Sequence, residues 1–451
     1  MTDISVFGNP AAEPLGKSLL ATDARTRRRN AAEARFRMWG RIAVAFGIIA
    51  LVGLLFSIMS NGLSSFQQTY VSLNIFLDPA KLDKTGNRDL AEIAKVSTFG
   101  YAPLIEQALG QAMTEKGIAV DGMTVKDAVN VISKEAPASI RNFVLANPAS
   151  IGETVTFDLL AAGRIDGYYK GRVTMESAQL DRNVTPEQLT LADQLKNAGI
   201  LSTHFNWSFF TAPDASDTRP EAAGLGIAII GSAYMMVVVF LLSLPLGVAT
   251  SIYLEEFAPQ NKLTDLIEVN IANLAAVPSI VFGILGLAVL INFMGLPQSA
   301  PIVGGLVLTL MTLPTIIIAT RAALKAVPPS IRDAALGVGA SKMQSIFHHV
   351  LPLAMPGILT GTIIGLARAL GETAPLLLIG MVAFVREFPA GPPDGFFQPA
   401  SALPVQVYNW TQRGDPAFVE RASGAIIVLL VFLILMNLIA IILRRRFERR
   451  W

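Results

Sequence analysis

The feature that most constrains this chain is a set of long apolar runs that contain no Asp, Glu, Lys or Arg. A membrane-spanning helix needs about 20 apolar residues to cross a hydrocarbon core of ~30 Å. The runs are Ile42–Leu77, Ala222–Leu254, Val269–Thr320, Thr373–Val385 and Ala422–Leu443. Hydrophobic residues make up 52% of the chain and charged residues only 16%, whereas soluble domains carry about 25% charged residues. The sequence therefore predicts a mainly α-helical, polytopic membrane protein.

These runs predict six membrane spans. The turn-like segment Gly295–Pro301 divides the run Val269–Thr320 into two spans. Thr373–Val385 is too short alone and predicts a span only when joined to the apolar segment before it, which places Arg368 and Glu372 within that span. The predicted spans are 42–60, 223–253, 269–293, 302–320, 353–385 and 422–443.

Basic residues near the chain ends predict how the spans are oriented. Residues 1–41 contain eight Lys and Arg residues, and five Arg residues follow Leu443. Because cytoplasmic flanks carry an excess of Lys and Arg, both ends are predicted to be cytoplasmic, as six spans also require. The first apolar run is longer than the core of a signal peptide. We therefore expect it to be retained as an anchor in the inner (cytoplasmic) membrane.

Residues 61–221 are the long hydrophilic segment between the first two predicted spans. Between Asp78 and Glu221 it carries 19 acidic and 14 basic residues, a composition that is ordinary for a soluble domain. Hydrophobic periodicity within it predicts three amphipathic helices and two strands. The predicted helices are Ala91–Ala112, Val125–Val144 and Pro186–Ala198, and the predicted strands are Glu153–Leu160 and Gly167–Met175. The segment is therefore predicted to be a mixed α/β periplasmic domain.

The predicted organisation of the whole chain follows from these segments. It consists of a basic cytoplasmic tail (1–41), the first span (42–60), the periplasmic domain (61–221), a five-helix domain (222–443) and a second basic tail (444–451).

Residue types that commonly carry catalysis or bind metals are scarce. The chain has no cysteine and three histidines, two of them adjacent, which excludes a Cys-ligated metal and leaves little for a His-based site. Gly16-Lys17-Ser18 resembles the end of a phosphate-binding loop, but Ala11 occupies the position of its first glycine. The basic residues lie beside apolar runs rather than in a stripe, so no nucleic-acid partner is predicted. We therefore predict a chain that is not an enzyme and needs no cofactor or metal, with any ATPase on a separate chain.

The loop between the fourth and fifth predicted spans, residues 321–352, has the most specific pattern. Ser330 follows two prolines and can cap a helix, with Asp333 completing a start that resembles a capping box. Small residues then leave a shallow helix surface that another protein can approach closely. These small residues are Ala334, Ala335, Gly337 and Gly339. The plainer interpretation is a surface helix that only connects two spans.

This loop resembles the EAA loop of ABC importer permeases. In that family Glu-Ala-Ala is followed by a glycine four positions later and, after nine more residues, by Ile-x-Leu-Pro. The matching residues here are Asp333, Ala334, Ala335, Gly339, Leu351 and Pro352, while His349 stands in place of Ile. The resemblance implies that the helix enters a cleft of the ATPase subunit and transmits its closure to the spans.

Arg368 and Glu372 form a charged pair within the fifth predicted span. A charge at the bilayer centre costs about 2.5–3.5 kcal/mol on insertion scales and usually faces a bundle interior or a pathway. The two residues are four positions apart, hence on one helix face. They form either an ion pair that locks two helices together or a guanidinium that Glu372 holds available for a passing oxyanion. The residues alone leave both interpretations open.

The segment Ala367–Leu377 resembles the PstA family of phosphate ABC transporter permeases. Further similar stretches are Trp207–Thr211, Ala223–Gly226 with Gly231 and Ser232, Ala276–Val281 with Gly283, and Leu313–Thr315. The resemblance covers about residues 205–443 and implies a MetI-like ABC importer permease that forms half of the translocation pathway. It also implies that Arg321, Arg368 and Glu372 contribute to phosphate passage. Leu324 stands where relatives often carry an acidic residue.

The partners that this resemblance implies are inorganic phosphate, membrane lipid and three kinds of protein. The proteins are a second, PstC-like permease, a PstB-like ATPase dimer and a PstS-like periplasmic phosphate-binding protein. One alternative is a permease for another oxyanion such as sulfate or molybdate. A second alternative, from a different class, is a membrane-anchored sensor whose 61–221 domain binds a ligand; it would have one or two spans and a cytoplasmic signalling domain.

Overall fold

The structure is a computed structural model that describes residues 24–83, 86–382 and 384–447. The Gly16-Lys17-Ser18 motif and the first part of the predicted tail 1–41 lie outside the described residues. The chain divides into two units, residues 1–57 and 58–451. Helix α1 (Ala24–Gly62) contains the predicted span 42–60. Most of this helix belongs to the first unit. The helix begins 18 residues before that span, so the described part of the basic tail is helical.

The insert domain, which we define as residues 61–221, is built on a three-stranded antiparallel sheet in the order β2-β1-β3. Its strands are β1 (Gln67–Phe76), β2 (Thr154–Leu160) and β3 (Leu201–Phe205). In register, Phe76 lies opposite Thr154 of β2 and Gln67 opposite Phe205 of β3. Apolar residues at alternate positions of β1, such as Val71, are buried against the helices. The predicted mixed α/β fold is confirmed.

Short helices cover this sheet. They are α2 (Pro79–Leu82), α3 (Leu90–Ile93), α4 (Ala102–Glu115), α5 (Val125–Ala128), α6 (Ala136–Ala146), α7 (Gly163–Tyr169), α8 (Met175–Ala178), α9 (Pro186–Asn197) and α10 (Ser208–Thr211). The strand expected at Glu153–Leu160 and the helix expected at Pro186–Ala198 correspond to β2 and α9. The other two predicted helices are interrupted, because Pro103 and Pro137 fit only the first turns of α4 and α6.

The strand predicted at Gly167–Met175 is wrong. Its first residues belong to α7, and its last residue begins α8. The buried carboxylate of Asp166 pairs with Lys170 four residues later, at 2.7 Å. That spacing brings side chains together on a helix but not on a strand.

The remaining helices form the membrane bundle. They are α11 (Gly226–Ile252), α12 (Lys262–Ala276), α13 (Ser279–Leu285), α14 (Pro301–Lys325), α15 (Pro329–Gly337), α16 (Lys342–Ser345), α17 (Leu351–Gly371), α18 (Ala374–Leu378), α19 (Leu403–Thr411) and α20 (Pro416–Phe447). Wider π-helical turns extend three of them, at Tyr253–Phe257, Gly286–Phe293 and Ile346–Val350. The predicted mainly α-helical fold is confirmed.

Helix α14 is central and packs antiparallel to α17 along a seam of small residues. Gly357 lies beside Ala323, and Gly361 beside Ala319. A Cβ atom added at Gly361 would lie 2.2 Å from the Cβ of Ala319. Small residues let helix backbones approach this closely, and they are the usual contacts between membrane helices.

Two predicted spans are broken. A bend of 102° separates α12 from α13 within the predicted span 269–293, at Val277 and Pro278. The predicted span 353–385 ends as a helix at Gly371, because Pro375 lacks the amide proton that would continue the helix and would clash with the carbonyl of Gly371. Among the described residues five helices are long and apolar enough to cross a membrane, or six if the bent pair counts as one span.

Candidate functional site

Arg368 lies at mid-depth in the bundle although it is in the last turn of α17. The contacts of Gly361 with Ala319 and of Gly365 with Ile316 set the register between α17 and α14. Extending that register places Arg368 opposite about residue 313, which is the midpoint of Pro301–Lys325. The break after Gly371 therefore leaves a charged helix end inside an apolar bundle.

The Arg368 side chain is accessible. Its Nε lies 3.7 Å from Oε1 of Glu372, which exceeds the 2.7–3.2 Å range of a good hydrogen bond. The Arg368 side chain is 48% exposed and the Glu372 side chain 20%. A charged side chain that is half exposed at this depth is costly against lipid, so this surface requires a polar pathway or another protein subunit beside it.

A second break lies next to this pair. Gly283 of α13 packs against Pro375 of α18 so closely that a Cβ on Gly283 would lie 2.6 Å from the Cα of Pro375. The bend at Pro278 and the break at Glu372 are thus joined through α13 and α18. The fold brings together two motifs that are about 90 residues apart in sequence.

Arg321 lies elsewhere, in the last turns of α14. It is eight residues from the level of Arg368, or about 12 Å at about 1.5 Å per residue. Its Nη2 donates to Oε1 of Glu268 at 2.7 Å, and its Nε donates to Oε2 of Glu255 at 3.3 Å. An anion at Arg321 would therefore meet two carboxylates, and like charges repel.

The acidic partners of Arg321 come from distant sequence positions. Leu324 occupies the nearby position where members of the resembling family often carry an acidic residue. Glu255 and Glu268 instead lie 66 and 53 residues before Arg321. Local spacing could not have identified them.

The predicted loop helix is present as α15, but its start differs from the expectation. The Ser330 cap is wrong: Pro328 is the N-cap residue, and it makes no side-chain capping bond. Pro329 occupies the first helical position, where its fixed φ is favourable, so Ser330 lies inside the helix. A capping box instead begins α16, where Ser341 and Gln344 bond reciprocally.

The small residues of the loop are open to approach. Asp333, Ala334, Gly337 and Gly339 are exposed, whereas Ala335 is buried. Apart from the local backbone and the adjacent residues, no atom of the described residues lies within 4 Å of a Cβ position built on Gly337 or Gly339. Leu351 and Pro352, the last residues of the motif, are half-buried in the first turn of α17.

Exposed apolar side chains surround those small residues. Val338 is 87% exposed. Leu336, Met343 and Phe347 are also exposed. Apolar side chains exposed in a group commonly mark a protein interaction site. The loop therefore has both the open surface and the apolar rim that a partner needs.

An ionic cluster joins the insert domain to α20; the sequence analysis missed it. We call it the insert junction: Asp166, Lys170, Arg172, Glu420 and Arg421. Lys170 Nζ lies 3.1 Å from Oε1 of Glu420, and Arg172 Nε lies 2.6 Å from Oε2 of the same carboxylate. One signal was available, since Glu420 and Arg421 directly precede the last apolar run.

Arg421 closes the insert junction from the side of α20. Its guanidinium donates to the backbone oxygens of Ala223 and Glu221 at 2.6 and 2.7 Å, and to Oε1 of Gln68 at 3.0 Å. Burial raises the pKa of the Glu221 carboxyl, although Ser133 donates a hydrogen bond to it. Within the described ranges there is no group of three or more His, Cys, Asp or Glu side chains that could hold a metal ion.

Two family models match this chain. The model described as "Binding-protein-dependent transport system inner membrane component" matches residues 243–451. A "Domain of unknown function (DUF3333)" matches residues 23–179. The second match ends before the core of the insert domain does, since α9 and β3 also contribute buried residues to it.

Curated relatives match about half of this chain. "Probable ABC transporter permease protein YqgI" of Bacillus subtilis (strain 168) is 34% identical over 230 residues, 49% of this chain and 78% of that protein. "Phosphate transport system permease protein PstA 2" of Mycobacterium tuberculosis (strain CDC 1551 / Oshkosh) is 34% identical over 251 residues, 55% of this chain and 79% of that protein. A solved inward-facing MetNI methionine ABC transporter chain aligns with a TM-score of 0.38 and 17% identity, covering 50% of this chain and 95% of that chain.

Proposed function

We propose that this chain, which belongs to the family of binding-protein-dependent transport system inner membrane components, is the permease subunit that conducts phosphate in an ATP-driven importer. Family membership makes it a transport subunit of an ABC importer. The proposal of phosphate rests on its similarity to phosphate permeases and on the chemistry of the bundle.

One observation carries the proposal: the half-exposed Arg368 side chain at mid-depth in an apolar bundle. Its planar fork of donors matches the oxygens of phosphate. Glu372 balances the charge while no anion is present, yet at 3.7 Å it does not saturate those donors. A passing anion can therefore bind Arg368 and leave without breaking a tight ion pair.

The same proposal gives each remaining segment of the chain a location or a partner. Both ends of the chain are cytoplasmic, and the insert domain faces the periplasm. The exposed α15 docks in the ATPase, which is a separate subunit. A second, similar permease covers the surface around Arg368, and a periplasmic binding protein delivers phosphate. Arg321 contributes to the inner end of the pathway by holding Glu255 and Glu268 in place rather than by binding the anion.

The test removes both charges of the pair and keeps the side chains polar. Removing one partner alone would leave a buried charge uncompensated, and misfolding would mimic lost transport. We expect the double variant Arg368→Gln, Glu372→Gln to fold, to keep its partner subunits and to lose uptake of radiolabelled phosphate. The matched control is Arg386→Gln, because Arg386 is similarly exposed (51%) but lies in a loop outside the helices.

Robust phosphate uptake by the double variant would show that the pair is only a structural lock. Competition by sulfate or molybdate in the wild-type complex tests the substrate. If either anion inhibits the uptake of radiolabelled phosphate as strongly as the same concentration of unlabelled phosphate does, phosphate selectivity is contradicted. A periplasmic reporter tests orientation and is expected to be active in the insert domain and inactive after Trp451.

A further inference from the structure

The π-helical turn that ends α11 carries two consecutive carboxylates that reach different partners. Oε2 of Glu255 accepts from Arg321 of α14 and lies 3.6 Å from Nζ of Lys325. Oε1 of Glu256 accepts from Nε and Nη2 of Arg332 in α15, at 3.0 and 2.7 Å. The turn Tyr253–Phe257 is therefore bonded both to the bundle and to the exposed loop helix.

Arg332 is fixed from several sides. Besides Glu256, its Nη1 donates to the backbone oxygen of Val327 at 2.8 Å, and its Nη2 donates to that of Leu324 at 2.9 Å. These carbonyls lie at the end of α14, so one guanidinium links α15, α14 and the π turn. A lysine has no planar fork of donors and could not make all of these bonds at once.

Contacts continue from this link to the Arg368 pair. Arg321 binds Glu268 of α12 as well as Glu255. The bend at Pro278 follows α12, and α13 beyond it packs on Pro375 of α18. A displacement of the π turn thus has an uninterrupted route, through α12 and the bend, to the break beside Glu372.

We propose that the Glu256–Arg332 ion pair is the joint that transmits movement of α15 to the substrate pathway. The two side chains are bonded to each other, and that of Arg332 also to backbone carbonyls at the end of α14, so we take them as positioning residues. The inference rests on the proposed function, because α15 is taken there as the helix that the ATPase moves. When α15 moves, Arg332 pulls Glu256 and the π turn, and the adjacent Glu255 carries that displacement to Arg321 and α12.

A joint and a structural staple make different predictions for the same variant. If the pair only holds α15 in place, Glu256→Gln should reduce assembly with the ATPase. If it is a joint, the complex should assemble and hydrolyse ATP but transport less phosphate for each ATP. Coupling between two sites typically changes an affinity by about 5- to 150-fold. We expect the amount of phosphate transported per ATP to decrease by a factor in that range.

The experiment uses the complete complex in liposomes, with the binding protein added and inorganic phosphate as the transported probe. Phosphate uptake and ATP hydrolysis are measured for the wild type, Glu256→Gln, Arg332→Lys and the control Lys325→Gln. Lys325 belongs to the same ionic group but is 60% exposed, so this control should behave as wild type. Unchanged phosphate per ATP in Glu256→Gln, or loss of ATPase association, would overturn the joint.

A covalent replacement keeps the test decisive if single variants are unstable. The chain has no cysteine, so Glu256→Cys with Arg332→Cys introduces two unique thiols. A bifunctional thiol reagent that spans the ion pair should restore phosphate transport per ATP, which is low before the reaction. Failure of the cross-linked complex to recover would contradict a rigid joint.

This outcome is separable from failure of the proposed function. If the wild-type complex does not transport phosphate, or the Arg368→Gln, Glu372→Gln variant transports it normally, the proposed function fails. The joint fails when the wild type couples phosphate uptake to ATP hydrolysis but the Glu256 and Arg332 variants couple equally well or lose the ATPase, or when the cross-linked variant does not recover.

Discussion

The two ionic clusters at opposite ends of the bundle are built differently. In the insert junction, the side chains of Asp166, Lys170 and Glu420 are only 3–5% exposed, and that of Arg172 is 25% exposed. In the loop junction, which we define as Glu255, Glu256, Glu268, Arg321, Lys325 and Arg332, exposure ranges from 8% to 60%. Buried charges are tolerated only when partners compensate them, so the insert junction is a closed cluster of paired charges. The loop junction remains open enough to rearrange.

This difference assigns different mechanical roles to the two ends. Arg421 ties α20 to β1 through Gln68 and to the chain before α11 through Ala223 and Glu221. The insert domain is thus a fixed extension of the last helix. The opposite end combines the largely buried Glu256–Arg332 pair with more exposed pairs at Glu268 and Lys325, which cost less to rearrange because solvent screens them.

The largest effect should follow from opening the closed junction. Glu420→Ala leaves Lys170 and Arg172 without their shared carboxylate, and breaking a buried pair commonly costs about 3–5 kcal/mol. We expect a large drop in the thermal unfolding temperature of the purified chain. The control Glu92→Ala removes an exposed pair with Lys95 and should have little effect. A stability of Glu420→Ala equal to wild type would mean that the junction does not fix the domain.

A second prediction concerns the open end and affects a partner rather than folding. Gly337→Leu adds a side chain where no atom lies within 4 Å, so the chain should fold normally. In a close interface the added side chain should cost about 1–3 kcal/mol, as overpacking does, and weaken co-purification of the ATPase. Gly339 is a poorer test because its φ of +91° strains any other residue. Undiminished co-purification would make α15 a mere connector.

The sequence predicted what depends on local pattern. Uninterrupted apolar runs revealed the helical bundle, and the spacing of Asp333 and Gly339 revealed the loop helix. It missed what depends on distant contacts. The partners of Arg321 lie more than 50 residues away. Only the fold brings Glu420 to Lys170, the partner of Asp166. Proline geometry could have predicted the helix break before Pro375. Hydropathy alone predicted a single continuous span, 353–385, across that break.

A third, smaller effect concerns pH at the closed junction. Burial raises the pKa of Glu221, so its contribution to stability is complete below the unfolded pKa and is lost as pH rises through the folded pKa. We expect wild-type stability to fall over that interval as the buried carboxyl ionises. Glu221→Gln retains an acceptor for Ser133 and cannot ionise, so its stability should depend less on pH. The comparison is thermal unfolding across mildly acidic to neutral pH, and parallel curves for the two proteins would contradict it.

The smallest effect should come from the most exposed charge of the open junction. Lys325 lies 3.6 Å from Oε2 of Glu255 and is 60% exposed, and exposed pairs contribute about 0–1 kcal/mol. When Lys325 is replaced, Glu255 still accepts a hydrogen bond from Arg321. We therefore expect Lys325→Gln to change neither the unfolding temperature nor its salt dependence by much. A loss approaching that of Glu420→Ala would show that both junctions are equally rigid, and the contrast between the two ends would not hold.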